Sequence, residues 1–280
     1  MPFYDKIISI MKIIDTHCHV YPDKIAVRAS SAIGTFYNEP ICCDGMISTL
    51  LRESKTAGIS RHVLSSVATT PHQVDSINRF IADSVQQNPD RFLGLGTIHP
   101  DSPDPADELT KIQDLGLKGI KIHPDFQSAS VLDPRFLRIF ELCEKRGLPV
   151  LCHCGDDRYA YSNPVQIKEI LNRFPDLVLI GAHFGGWTVW KGAVAELFDQ
   201  KKLYVDCSSS LYALGRAEAT AFIRFFGAER VLFGVDYPMW SPSEEIERFN
   251  SLFLTAEERE QILWKNAASL FGIQENELDG

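Results

Sequence analysis

Nowhere in this 280-residue chain do apolar residues run on for the roughly 18 positions that a membrane-crossing helix needs, so no transmembrane segment is expected. A basic run is missing too. Lys and Arg number 28 against 37 Asp and Glu, a formal charge of -9, and nothing gathers enough cation to displace the counterions of a nucleic acid. A secreted disulfide framework is equally absent: the seven cysteines are odd in number, and Cys42 with Cys43 and Cys152 with Cys154 lie too near each other to staple a small domain. A reducing cytoplasm is therefore expected. Asp5 and Lys6 interrupt any leader-like run from Met1 to Ile10. Met11-Lys12, directly before the first strand, offers an alternative start, which would make residues 1–10 a dispensable N-terminal extension. No linker or low-complexity stretch divides the chain, so residues 1–280 read as a single domain with ample core.

What the chain does have begins with Ile13-Ile14-Asp15-Thr16-His17-Cys18-His19. In an extended strand, His17 and His19 fall on one face with Cα atoms roughly 6.6 Å apart, a spacing that lets both imidazoles share one metal ion. Cys18 then points to the other face and is not expected to be a ligand.

After an aperiodic connection over residues 21–42, the pattern becomes regular. Helical spacing over 45–57, 71–87, 104–115, 133–146, 164–173, 190–200 and 216–226 alternates with apolar runs at 61–67, 92–99, 118–123, 150–153, 177–183, 203–207 and 230–235. With the first strand this makes eight strands alternating with helices, which implies a parallel sheet covered on both faces. Eight units favour a (β/α)₈ TIM barrel, with a doubly wound open sheet as the alternative. Thr255-Ala256-Glu257-Glu258 opens a final helix with a capping box, and Ile262, Leu263, Ala267 and Leu270 give it one apolar face to pack across the barrel's exterior.

Barrel chemistry is built where strands end, and the unusual residues collect there: His17 and His19, then His99, His123, His153, His183 and finally Asp236. Only His62 and His72 stand elsewhere. Neutral imidazoles and a carboxylate converging in a dry barrel mouth need a cation to justify their desolvation. Zn²⁺ suits such a set, and Mn²⁺, Fe²⁺ or Co²⁺ would accept the same ligands. Cys152 and Cys154 flank His153 on the opposite face and are excluded as ligands.

The segments IIDTHCHVYP, GIKIHPDFQ, GLPVLCHCG, PDLVLIGAHFGG, LYVDCSSS, RVLFGVDYP and ILWKNAASLFGI together resemble the amidohydrolase superfamily. The similarity points to the amidohydrolase-related branch that also contains aminocarboxymuconate-semialdehyde decarboxylase. That resemblance implies that His17, His19, His153 and Asp236 hold one divalent metal rather than two. It also implies that Asp236 moves the proton of a metal-activated water, and that His183 hydrogen-bonds that water or the substrate. Lys121 shares the inward parity of His123 and has three readings: a carboxylated bridge between two metals, as in binuclear members, an interior lysine paired with an acid such as Asp15, or a substrate-carboxylate anchor. His123, Arg158 and Trp187 are candidate substrate-binding residues, Arg158 as a bidentate partner for a carboxylate unless it pairs with Asp156 or Asp157.

The expected activity is hydrolysis of a C–N or C–O bond in a small polar molecule. Its chief rival is non-oxidative decarboxylation of an aromatic or enol acid, and a non-catalytic metabolite-binding barrel is the third reading. The expected partner is a small molecule, with neither nucleic acid nor membrane involved, and the barrel could form a homodimer.

Overall fold

The computed structural model describes residues 12–278, so the expected extension at residues 1–10 lies outside the described residues. The strands are β1 (Ile14–His19), β2 (Arg61–Ser65), β3 (Phe92–Gly94), β4 (Gly96–Thr97), β5 (Ile120–Ile122), β6 (Val150–Cys152), β7 (Leu179–Gly181), β8 (Leu203–Asp206) and β9 (Val231–Leu232). Every pairing is parallel, in the orders β1-β2-β3 and β4 through β9. β3 and β4 are one run of chain that changes partner at Leu95, whose N–H goes to Leu64 O (2.8 Å) while that of Gly96 goes to Gly119 O (2.9 Å). A side chain at Gly96 would meet Ile112 at 2.8 Å, so glycine lets the neighbouring helix lie directly on the strand. The last strand returns to the first: Thr16 N–H bonds Phe233 O (2.9 Å), Asp236 N–H bonds His17 O (2.8 Å) and His19 N–H bonds Tyr237 O (2.7 Å). The eight-stranded barrel is closed, and the open sheet is set aside.

The outer helices are α2 (Ile47–Ala57), α3 (Val74–Gln87), α4 (Pro105–Asp114), α5 (Pro134–Arg146), α6 (Pro164–Arg173), α7 (Trp190–Leu197) and α8 (Arg216–Phe226). Their boundaries follow local chemistry. Asp104 and Asp133 accept the first free N–H groups of α4 and α5 ahead of a proline, and Gly58 and Gly147 end α2 and α5 in left-handed conformation. Two helices depart from expectation. The aperiodic stretch contains α1 (Asp23–Tyr37), whose buried positions are Ala26, Ser30 and Gly34. They recur every fourth residue, but they are small and carry no apolar period. α9 (Pro242–Asn250) follows β9 and was also unforeseen.

The C-terminal segment starts with the expected Thr255 capping box, then runs through α10 (Ala256–Glu260), a π-helical turn (Gln261–Lys265) and α11 (Asn266–Phe271). It is not confined to the exterior. Ala267, Ala268 and Phe271 join the same cluster as Ile14, Val63, Leu151, Ile180 and Leu232, which is the barrel's inner layer. Ion pairs Lys12–Glu275 (3.0 Å) and Arg61–Glu277 (3.3 Å) tie this segment to the beginnings of the first two strands, the end opposite the histidines. Among the described residues no helix is long and apolar enough to cross a membrane, and all seven cysteines are free.

One irregularity positions the site. β1 carries an extra residue relative to β2, since Asp15 pairs with His62 but Cys18 pairs with Leu64. Ile14 can therefore sit in the inner layer while His17 and His19 also face the barrel mouth. Asp15 and Cys18 turn outward. Asp15 Oδ1 accepts Val235 N–H (2.9 Å) and His17 N–H (3.1 Å), and Oδ2 meets Cys18 Sγ (2.6 Å) and His62 Nδ1 (3.1 Å). His62 Nε2 continues to Ser54 Oγ of α2 (2.6 Å). The suggested pairing of Asp15 with Lys121 is thus corrected: Asp15 on β1 turns outward to His62, whereas Lys121 on β5 turns inward to His17 Nε2. Asp15→Ala would strip the acceptor from several buried donors at the closing seam. It is expected to cost on the order of 3 kcal/mol or more, read as a lowered urea midpoint.

Candidate metal centre and active site

Three consecutive strand ends are bent by residues in left-handed backbone: His183 after β7 (φ 59°), Ser209 after β8 (φ 45°) and Asp236 after β9 (φ 64°). Non-glycine residues seldom adopt this conformation, and here it turns each side chain into the mouth of the barrel.

The hydrogen-bond network sets the tautomers. His17 Nδ1 gives its proton to Asp206 Oδ2 (2.9 Å), leaving the Nε2 lone pair facing inward. That Nε2 lies 3.1 Å from His19 Nε2 and 3.4 Å from Asp236 Oδ1, while His19 Nε2 is 3.5 Å from the same oxygen. His183 Nδ1 donates to Ser208 O (3.0 Å), so its Nε2 lone pair faces His153 Nδ1 at 3.1 Å. Lone pairs turned on one another at this range are stable only with a shared cation or proton between them. Lys121, wholly buried, supplies part of that charge with Nζ 3.0 Å from His17 Nε2. The donors are imidazoles and a carboxylate, and the nearby thiols of Cys18 and Cys152 belong to the outer layer, so the set fits a divalent cation of the zinc or manganese type.

Desolvation by burial, with Lys121 as the next cause, pushes His17 and His19 well below the ordinary imidazole range. Burial and then His123 do the same to His153, and burial takes His183 to about 4. Lys121 is lowered by burial against the pull of Asp236 and Asp206. Burial and the carboxylates of Asp236 and Asp125 raise the Tyr37 phenol.

The expected residues divide into two groups. His17, His19 and Asp236 stand at ligand spacing. His153 does not join that trio: its Nδ1 faces His183, and its Nε2 is 3.4 Å from Asp125 Oδ2. His123, Asp125 and His153 form a separate acidic-imidazole group. The rings of His123 and His153 are stacked at 4.0 Å and 8°, so no point lies in the plane of both, and they cannot share an ion. His99 takes Asp101 N–H on Nδ1 (3.1 Å) and stays outside the cavity lining.

Arg158 takes the alternative reading, the pairing with Asp156: its guanidinium holds Asp156 through Nε (2.9 Å) and Nη2 (2.6 Å) and Phe36 O through Nη1 (2.7 Å). Trp187 does line the cavity, fixed by the strand-like contact of Gly155, where a side chain would come within 2.4 Å of Trp187 N.

Sequence reasoning missed Asp206, which orients His17 and also accepts His183 N–H (3.1 Å) and Ser208 Oγ–H (2.5 Å). It missed Ser209 too, which donates to Asp236 Oδ2 (2.5 Å) while accepting Trp240 Nε1–H (2.8 Å). The run LYVDCSSS at a strand end was their visible signal. The imidazoles, Lys121 and Asp236 form the floor of a cavity of about 710 Å³ whose walls include Phe36, Tyr37, Phe80, Phe126, Trp187 and Trp240.

A family profile described as amidohydrolase matches residues 14–273. The chain belongs to the amidohydrolase family. Among curated relatives, this amidohydrolase is 27% identical over 247 residues to the 2-amino-3-carboxymuconate-6-semialdehyde decarboxylase of Dictyostelium discoideum, covering 71% of this chain and 66% of the relative, just under two thirds of its length. An uncharacterised TIM-barrel protein from Bordetella bronchiseptica shares the fold at TM-score 0.78 and 24% identity, covering 94% of this chain and 99% of that one. A dihydroxybenzoic acid decarboxylase from Polaromonas, solved with manganese and the inhibitor 2-nitroresorcinol, shares it at TM-score 0.72 and 16% identity, covering 96% and 99%.

Asp206→Asn should release His17 from its metal-binding tautomer and weaken divalent-metal affinity by roughly 10- to 100-fold in chelator competition. The metal-free amidohydrolase should also lose stability in acid. His17, His19, His153 and His183 have folded-state pKa values below the ordinary 6.5, so the unfolded chain takes up protons first. Their contribution is complete above about pH 6.5 and is lost as pH falls toward the folded values, by on the order of 1 kcal/mol per ring per pH unit. Urea midpoints at neutral and mildly acidic pH check this.

Proposed function

We propose that the chain is a metal-dependent, non-oxidative decarboxylase of an aromatic or enol carboxylic acid. The observation that carries the reading is the join between a polar, cation-demanding floor and a cavity walled by aromatic rings. Such walls suit a flat unsaturated body with its acidic end at the floor. The names of the curated relative and of the manganese-containing neighbour support the same choice, which was the rival reading of the sequence.

A bound divalent ion, Mn²⁺ or Zn²⁺, would supply Lewis-acid polarisation of the substrate's oxygens, held by His17, His19 and Asp236, with His153 proposed as a further ligand. The remaining work falls to the chain. The bond between the ring carbon and the carboxylate breaks with its electron pair left on carbon, that carbon takes one proton, and CO₂ departs. Asp236, having first taken a proton from solvent, is placed to deliver it: Ser209, itself held by Trp240, fixes Oδ2 and so the direction of the carboxyl group. His183, neutral and locked by Ser208 O, presents Nε2 as an acceptor that would orient a substrate hydroxyl. The aromatic walls exclude water from the carbon being protonated.

Hydrolysis of a C–N or C–O bond would use the same floor, but the aromatic walls favour a flat unsaturated body over a small polar one. Assays of the metal-loaded protein against hydroxylated benzoic acids and unsaturated acids should show CO₂ and the decarboxylated product in equal amounts. Ring opening or amine release without CO₂ would establish the hydrolase instead. Asp236→Asn should lower kcat by roughly 100-fold or more while reducing metal affinity far less. Unchanged biological effect in that variant would point to a binding protein.

A further inference from the structure

Tyr37 is the last residue of α1 and lines the cavity. Its Oη lies 2.7 Å from His123 Nε2. The His123 ring is held between Phe126 (3.8 Å, 9°) and His153 (4.0 Å, 8°), and its Nδ1 accepts Phe126 N–H at 3.4 Å. With Nδ1 an acceptor, the neutral ring carries its proton on Nε2 and donates it to the tyrosine oxygen. The phenolic hydrogen is then left over, and among the described residues Tyr37 Oη has no other polar partner than His123. The ring itself is braced by Trp187 edge-on at 4.8 Å and by the Arg158 guanidinium 5.5 Å from its centre.

The cations lining the cavity are Lys24 and Lys121, with no arginine among the described residues there. An acid seated in this cavity therefore meets no guanidinium fork. We propose that Tyr37 anchors the substrate by donating its phenolic hydrogen to the substrate carboxylate, and that His123 is the positioning residue that aims it. This rests on the aromatic-acid reading above. A neutral donor suits the reaction, because the carboxylate must leave as uncharged CO₂. His123, expected to touch substrate, instead acts through Tyr37.

The test uses manganese-loaded protein and two probes in isothermal titration calorimetry: benzoate, which has the carboxylate and no ring hydroxyl, and phenol, which has the reverse. Tyr37→Phe should weaken benzoate roughly tenfold and leave phenol within about twofold, with metal content and thermal midpoint unchanged. His123→Phe keeps an aromatic ring in the stack. It should weaken benzoate several-fold alone and add nothing in the Tyr37→Phe background, a coupling that a merely structural role would not produce. Benzoate binding unaffected by Tyr37→Phe, or phenol weakened equally, overturns the anchor, and additive losses in the double variant overturn the part given to His123. If the wild-type protein binds neither probe, the aromatic-acid reading itself fails and takes this one with it.

Discussion

The structure depends on one electrostatic constraint: lone pairs on buried imidazoles, turned toward one another, must be reconciled by a shared proton or cation. His17 and His19 present Nε2 atoms at 3.1 Å, and His153 and His183 repeat the situation one layer along. In water each ring would solve the problem alone. In a closed barrel none can, so the surroundings commit each tautomer in advance. Asp206 takes the far proton of His17 and Ser208 O that of His183. The aspartates and serines behind the histidines therefore decide which atom faces the centre.

That commitment is made by backbone placed at some cost. The bulge in β1 lets the inner layer and the histidine pair share a strand that a strict two-residue alternation would have split between faces. Left-handed residues at three neighbouring strand ends complete the aim. The outward turn of Asp15 is the other half of the same device, because its carboxylate joins β1 to the backbone after β9 while its second oxygen serves His62. Closing the barrel and building the site are thus one event at one seam.

The alternation of helices and strands was legible because buried parallel strands are short apolar runs and their helices are punctuated by Asp-Pro starts and Gly stops. His17, His19 and Asp236 were legible because rare polar residues at strand ends stand out against apolar neighbours. α1 was hidden, since Ala26, Ser30 and Gly34 on its core side look like loop residues, while its apolar Ile25, Ala29, Ile33 and Phe36 face the cavity instead. Asp206 was hidden because a second-row acid has no spacing rule of its own. Arg158 had two readings for a related reason: sequence does not decide between a substrate and a neighbouring acid, and here it clamps Asp156 and the end of α1 beneath four aromatic rings.

The closing seam also sets an order of events during synthesis. Thr16 Oγ1 bonds Phe233 O across 217 residues, and the inner layer is finished only by Ala267, Ala268 and Phe271. A nascent chain emerging from the ribosome therefore carries its histidine pair for most of its length without the aspartate that completes the trio. Completing the trio is consequently a late step, because Asp236 and the residues that finish the inner layer are among the last to emerge.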